Sequence, residues 1–144
     1  MARDRAHKRL LEFARAGKAL PFELEGSAIY HCGPLAKNVG GEWQILSAGP
    51  TTSARMEPFE PEIIRKFRVR MIIGKGGMGS STIEAMNQIG SVYCAAPGGA
   101  GALLAKSVEE VKGVEWKEFG IAEAVWLLEV EKMGPLIVAI DAQR

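Results

Sequence analysis

Residues 69–96 constrain the fold more than any other stretch of this chain. An apolar run, Val69-Arg70-Met71-Ile72-Ile73, meets a six-residue glycine loop, Gly74-Lys75-Gly76-Gly77-Met78-Gly79. A helical period over residues 80–89 follows, and then a second apolar run over residues 91–96. The first run has few polar residues, as a strand buried on both faces does. A strand, a helix and a second strand in this order imply a right-handed crossover and parallel pairing. Ser80 and Ser81 stand where a helix takes its N-cap, so a serine cap is expected for residues 80–89.

The remaining segments fit around that unit. Ala6, Leu10, Phe13 and Ala14 give residues 4–16 a helical period that stops at Gly17. Residues 28–32 read as a strand, and residues 37–42, with Gly40-Gly41, as a hairpin turn into a strand over residues 43–47. Residues 58–67 read as a helix with Pro58 at its start. A short helix is expected within residues 98–107, and strands at residues 126–131 and 136–141. With no repeat and no low-complexity linker, residues 1–144 read as a single α/β domain containing parallel and antiparallel strands.

Composition excludes several functions. A formal net charge of +1 gives no broad basic field for nucleic acid. No apolar run reaches the roughly 18 residues that span a bilayer. The opening MARDRAHKRL is charged with no apolar stretch behind it, so it is no secretory signal, and the cytoplasm is the default compartment. Two cysteines, Cys32 and Cys94, are too few for a disulfide framework, a zinc site or an iron–sulfur ligand set. Their apolar surroundings make them small core residues.

The glycine loop satisfies G-x-G-x-x-G between a strand and a helix. A dinucleotide site also needs an acidic residue at the end of the next strand to hold the ribose. That strand ends Cys94-Ala95-Ala96-Pro97, so the dinucleotide reading fails there. The Walker pattern fails as well, because Lys75 comes near the start of the loop. Two readings stand: an anion site built from helix N-terminal N–H groups beside Lys75, or a glycine turn with a solvated lysine. A second segment, Gly49-Pro50-Thr51-Thr52-Ser53-Ala54-Arg55-Met56, puts three hydroxyls and an arginine where a strand ends. Adjacent hydroxyls often cap helices; Arg55, a bidentate match for a carboxylate, tilts this segment toward anion recognition. Arg3, Arg5 and His7 offer a further cationic group or a solvated helix face.

Taken together, ARDRAHKRL, YHCGPL, LSAGPTTSARMEPFE, MIIGKGGMG and WKEFGIAEAVWLLEVEKMGPLIVAID resemble the β component of the iron–sulfur hydro-lyases. These are the class I fumarases and L-tartrate dehydratases. The resemblance runs in order from residue 2 to residue 141. It implies a swivelling β/β/α domain, with a parallel sheet, an antiparallel sheet and helices in three layers. It implies an active site shared with a separate α component, which carries a 4Fe-4S cluster on three cysteines, in an αβ-based hetero-oligomer. By position, Thr51 matches the hydroxyl proposed as catalytic base, and Arg3, Thr52, Arg55 and Lys75 match substrate-binding residues. His7, Gly76 and Gly77 fall in the same motifs as further candidates, and no metal ligand is implied in this chain. The family has a strand-forming segment before the RDxxH motif and continues past the position of Asp141. A missing upstream strand segment is therefore expected.

The implied chemistry takes a proton from a carbon beside a carboxylate and expels hydroxide from the neighbouring carbon, interconverting L-malate and fumarate. Tartrate is the alternative substrate, and a stand-alone carboxylate- or phosphate-binding module is the alternative of another class. Several groups must reach one small dianion, so the loops at residues 49–55 and 74–79 are expected side by side.

Overall fold

The computed structural model describes residues 1–141. The helices are α1 (Asp4–Ala16), α2 (Glu60–Phe67), α3 (Ser80–Ile89) and α4 (Gly101–Ala105). The strands are β1 (Ala28–Tyr30), β2 (Leu35–Val39), β3 (Glu42–Ser47), β4 (Met71–Gly74), β5 (Val92–Ala95), β6 (Val108–Glu115), β7 (Val125–Val130) and β8 (Ile137–Ile140). Four strands form a sheet in the order β1-β4-β5-β8, in which β1, β4 and β5 are parallel and β8 runs antiparallel to β5. β2 with β3 and β6 with β7 make two antiparallel pairs. The domain is thus mixed α/β, with the expected parallel crossover through α3.

The alternation of side chains along the central strands divides the core. Ile29, Ile72 and Tyr93 point to one face, where they meet Leu10 of α1, Ile63 and Ile64 of α2, and Met86 of α3. The next residues, Tyr30, Ile73 and Cys94, point to the other face and pack with Cys32, Ala48 and Leu104. Each large apolar side chain buried this way contributes about 1.5–3 kcal/mol. A third cluster joins the two antiparallel pairs, with Trp43 edge-on to Trp126 at 5.1 Å between ring centroids. Among the described residues, no helix is long and apolar enough to cross a membrane.

Several local expectations are corrected. The hairpin turn is confined to Gly40-Gly41, and Lys37 to Val39 already belong to β2. The helix expected from Pro58 starts at Glu60, with Pro61 in its first turn, and a separate short helical turn forms at Ser53–Met56. No serine caps α3. Instead the Glu57 carboxylate reaches across, accepting the Gly79 N–H at 2.7 Å, the Thr82 N–H at 3.1 Å and the Thr82 hydroxyl at 2.7 Å. β6 had no counterpart in the pattern, because Val108, Val111 and Val114 are spaced by three rather than two, a spacing its register shifts at Val108/Glu110 and Val111/Gly113 accommodate.

Candidate functional site

The two candidate loops lie together beyond the ends of β1 and β4. His31, just past β1, donates its N–H to the Ile73 carbonyl (2.8 Å) and accepts the Thr51 N–H (2.8 Å). Thr52 and Lys75 then face each other as a parallel bridge, and the Ser53 N–H reaches the Lys75 carbonyl at 3.0 Å. In return, the Lys75 N–H donates to Ser53 Oγ at 3.1 Å. The Gly-Pro-Thr-Thr segment therefore continues the parallel sheet by one short step alongside the glycine loop. Lys75, Gly76 and Gly77 are exposed.

Arg3, Asp4, Thr51 and Arg55 form one cluster. Arg55 grips Asp4 through two bonds, Nε to Oδ1 and Nη2 to Oδ2, each 2.9 Å. Nη2 also donates to Thr51 Oγ1 at 2.9 Å. Arg3 Nε lies 3.2 Å from both Asp4 Oδ2 and Glu123 Oε1. The Arg55 hydrogen bonds hold the Asp4 carboxyl at about 2, below its usual 3.8. Arg55, read from the sequence as a bidentate match for a ligand carboxylate, here gives its Nε/Nη2 edge to Asp4. Arg55 and Asp4 remain 45% and 35% exposed. The pair lies at the surface, where solvent and salt screen it.

The glycine loop is also altered from expectation. With the Glu57 carboxylate on the first turn of α3, the Gly79 and Thr82 N–H groups are already engaged. The Lys75 side chain and the exposed loop backbone remain. Gly76, at φ 81°, has its carbonyl turned inward to the Tyr93 hydroxyl at 3.3 Å.

His7 is corrected more fundamentally. It is wholly buried beneath the cluster rather than lining its surface. Its Nε2 lies 2.9 Å from Glu60 Oε2, and His31 Nε2 lies 2.7 Å from the same oxygen. All three residues are fully buried. The His7 contact is close but poorly aligned for a hydrogen bond, and Glu60 Oε1 has no partner. His7 Nδ1 meets the Arg3 carbonyl at 2.9 Å, and His31 Nδ1 meets Ser53 Oγ at 2.8 Å. Two imidazoles and a carboxylate can ligate a metal. An ion about 2.0–2.2 Å from each ligand would hold their atoms about 3.3–3.6 Å apart. The 2.7 Å His31 contact is instead a hydrogen bond, and the 2.9 Å at His7 is also shorter than a shared ion would set.

Burial alone would raise the Glu60 carboxyl, but His7 and His31 overcome it and hold the group at about 2. Burial drives His31 below its usual value, leaving it neutral. His7 is also pulled down by burial, yet the facing Glu60 charge leaves it raised overall. Glu60 is thus held as a carboxylate between two rings of unlike tendency, His7 raised by the facing charge and His31 lowered by burial. A depressed carboxyl contributes stability that is complete above its unfolded value of 4.5 and lost as pH falls toward about 2. Chemical denaturation of the wild-type chain should show unfolding free energy declining across that window. The Glu60→Gln chain should decline with a shallower slope; equal slopes would mean that Glu60 carries no such linkage.

Sequence reasoning missed Asp4, Glu57, His31 and Glu60. His31 stood in the apolar segment Ile29-Tyr30-His31-Cys32, where a titratable ring calls for a buried partner, but nothing local identified it. A cavity of about 360 Å³, lined by residues including Leu10, Phe22, Tyr30 and Trp126, is largely apolar and contains none of the candidate ligands.

Residues 1–144 match the family described as fumarase C-terminus. A protein of Methanocaldococcus jannaschii, provisionally named an L(+)-tartrate dehydratase subunit beta, is 49% identical over 98% of this chain and 73% of its own length. The L(+)-tartrate dehydratase subunit beta of Escherichia coli is 43% identical over 96% of this chain and 68% of its own. A Geobacillus stearothermophilus protein, provisionally named a class I fumarate hydratase, is 45% identical over 97% of this chain, which corresponds to 26% of that longer protein.

Proposed function

The chain belongs to the fumarase C-terminus family, and from that premise we propose that it is the β component of a two-component hydro-lyase acting on a four-carbon dicarboxylate. Fumarate and L-malate are the first reading of the substrate pair. The observation that carries it is the pairing of Thr52 with Lys75, which places the loop bearing Thr51 and Arg55 against the loop bearing the exposed lysine. Arg3 and Asp4 close the first of these groups.

In the dehydration direction, Thr51 Oγ1 takes the proton from the carbon beside one carboxylate, and hydroxide leaves the neighbouring carbon. A threonine hydroxyl is a weak base. The Arg55 N–H directed at Oγ1 favours its deprotonated form, because a charged donor stabilises an oxyanion. Arg55 Nη1, Lys75 and Arg3 meet the substrate carboxylates, where negative charge grows as the proton departs. Departure of hydroxide calls for a Lewis acid, which an iron–sulfur cluster supplies when bound. This chain does not fit such a cluster. Its two cysteines are buried in the core, and burial pushes the Cys32 thiol up to about 12, away from the thiolate a cluster needs. The cluster is therefore assigned to an α partner in an αβ-based assembly.

L-tartrate is the second reading, favoured by the names of relatives that match most of their own length. The test is to co-purify the chain with a cluster-bearing partner and assay fumarate and L-tartrate. A brown, oxygen-sensitive complex that hydrates fumarate is expected. Turnover of L-tartrate alone would select the second reading, and turnover of neither would favour a carboxylate-binding module.

A further inference from the structure

We propose that Glu60 is the positioning residue of the dicarboxylate site, a buried carboxylate from which the ligand-bearing segments are held in register. The inference rests on the hydro-lyase reading for its functional consequence, and on buried geometry for its substance. One oxygen, Oε2, meets both histidines, and each histidine passes the contact upward through its other ring nitrogen. His7 holds the Arg3 carbonyl. His31 holds Ser53, the first residue of the turn that carries Arg55. Ser53 Oγ holds the Lys75 N–H, and the His31 carbonyl holds the Thr51 N–H. Arg3, Thr51, Arg55 and Lys75, from three separate sequence motifs, thus rest on one side chain of α2.

Hydrogen bonding gives the chain a direction. Neutral His31 must donate Nε2–H to ionised Glu60, which has only lone pairs to offer. Its Nδ1 is then an acceptor and takes the Ser53 hydroxyl proton. The two Ser53 lone pairs are left for the Lys75 N–H at 3.1 Å and the Tyr93 O–H at 3.0 Å. If Glu60 became an amide, its NH₂ end could face His31 Nε2, which would move the ring proton to Nδ1. With His31 Nδ1–H and the Lys75 N–H both donating to it, Ser53 would have to turn its own proton to the Tyr93 oxygen and the Tyr93 O–H to the Gly76 carbonyl 3.3 Å away, so the hydrogen-bond order around the Lys75 N–H would be reset. A uniformly structural role has no such consequence: it predicts lower stability, without a specific effect at Lys75.

The test uses the assembled enzyme and the isolated chain in parallel. In the enzyme, Glu60→Gln should lower kcat/KM tenfold or more at temperatures where the variant remains folded. On a Lys75→Met background, the same substitution should cost clearly less, because one of the groups it positions is already gone. Ser53→Ala leaves Glu60 and both histidines in place while cutting the link to Lys75, so it should raise KM even if Glu60→Gln fails to fold. In the wild-type isolated chain, imidazole nitrogen NMR should show His31 as the Nε2–H tautomer with Nδ1 unprotonated. A folded Glu60→Gln enzyme with wild-type kcat and KM, equal losses on both backgrounds, or a His31 protonated on Nδ1 would each overturn the proposal. An inactive wild-type complex would instead overturn the hydro-lyase reading, and the NMR measurement would still decide the positioning chain.

Discussion

Replacing Arg55 with lysine in the assembled enzyme is expected to lower kcat/KM by about tenfold to a hundredfold for each charged hydrogen bond lost. Lysine keeps the charge but not the planar set of donors. Arg55 uses that set in three places at once: two bonds to Asp4, one to Thr51 Oγ1, with Nη1 left over. A single ammonium cannot reproduce this arrangement. The lost donor at Thr51 removes support for the deprotonated hydroxyl, so kcat should fall along with substrate affinity. Stability should hardly change, because the Asp4–Arg55 pair is exposed. Steady-state kinetics beside a melting curve separates the two effects. Near-wild-type turnover would make Arg55 a surface charge without a catalytic role.

Gly74→Ala should be a strongly damaging substitution at the site. A Cβ at Gly74 would lie 1.8 Å from Ser53 Oγ and 2.9 Å from His31 Nδ1. Gly74 cannot easily withdraw, since β4 is paired on both sides and its carbonyl accepts the Ala96 N–H at 2.7 Å. Ser53 would have to swing out of a fully buried network and leave His31 without its partner. Overpacking of about 1–3 kcal/mol combined with a broken buried hydrogen bond of about 1–3 kcal/mol gives a loss of roughly 2–6 kcal/mol. For a domain this size, Tm should fall by roughly 10 °C. Adding Ser53→Ala removes the nearest clash and should restore part of the loss, as a melting-temperature double-mutant cycle would show. Strict additivity would mean the two residues do not collide.

The parts of the fold that were legible are those whose signal lies within a few residues. The β4–α3–β5 unit could be read from one continuous stretch, because its two apolar runs and the helical period between them were each complete. The adjacency of the two loops followed from chemistry, since a small dianion draws its ligands together. What escaped depended on partners distant in sequence. Nothing around residue 79 announces that the cap of α3 comes from Glu57. Nothing around Arg55 announces that its fork is met by Asp4, 51 residues earlier. Glu60 passed as an ordinary helical acid in the first turn of α2, where a carboxylate also suits the helix dipole. Only its complete burial against His7 and His31 distinguishes it. His7 was carried into the site by its motif, and the structure places it one layer below.

The central claim is that this chain supplies the carboxylate-binding half of a shared hydro-lyase site and no Lewis acid. The most direct measurement is the fumarate hydration rate of the purified, metal-free chain, before and after addition of a cluster-bearing α partner, with L-tartrate dehydration assayed in parallel. No turnover by the colourless chain alone, and turnover once the partner is added, is the predicted result. Measurable fumarate hydration by the chain alone would contradict it.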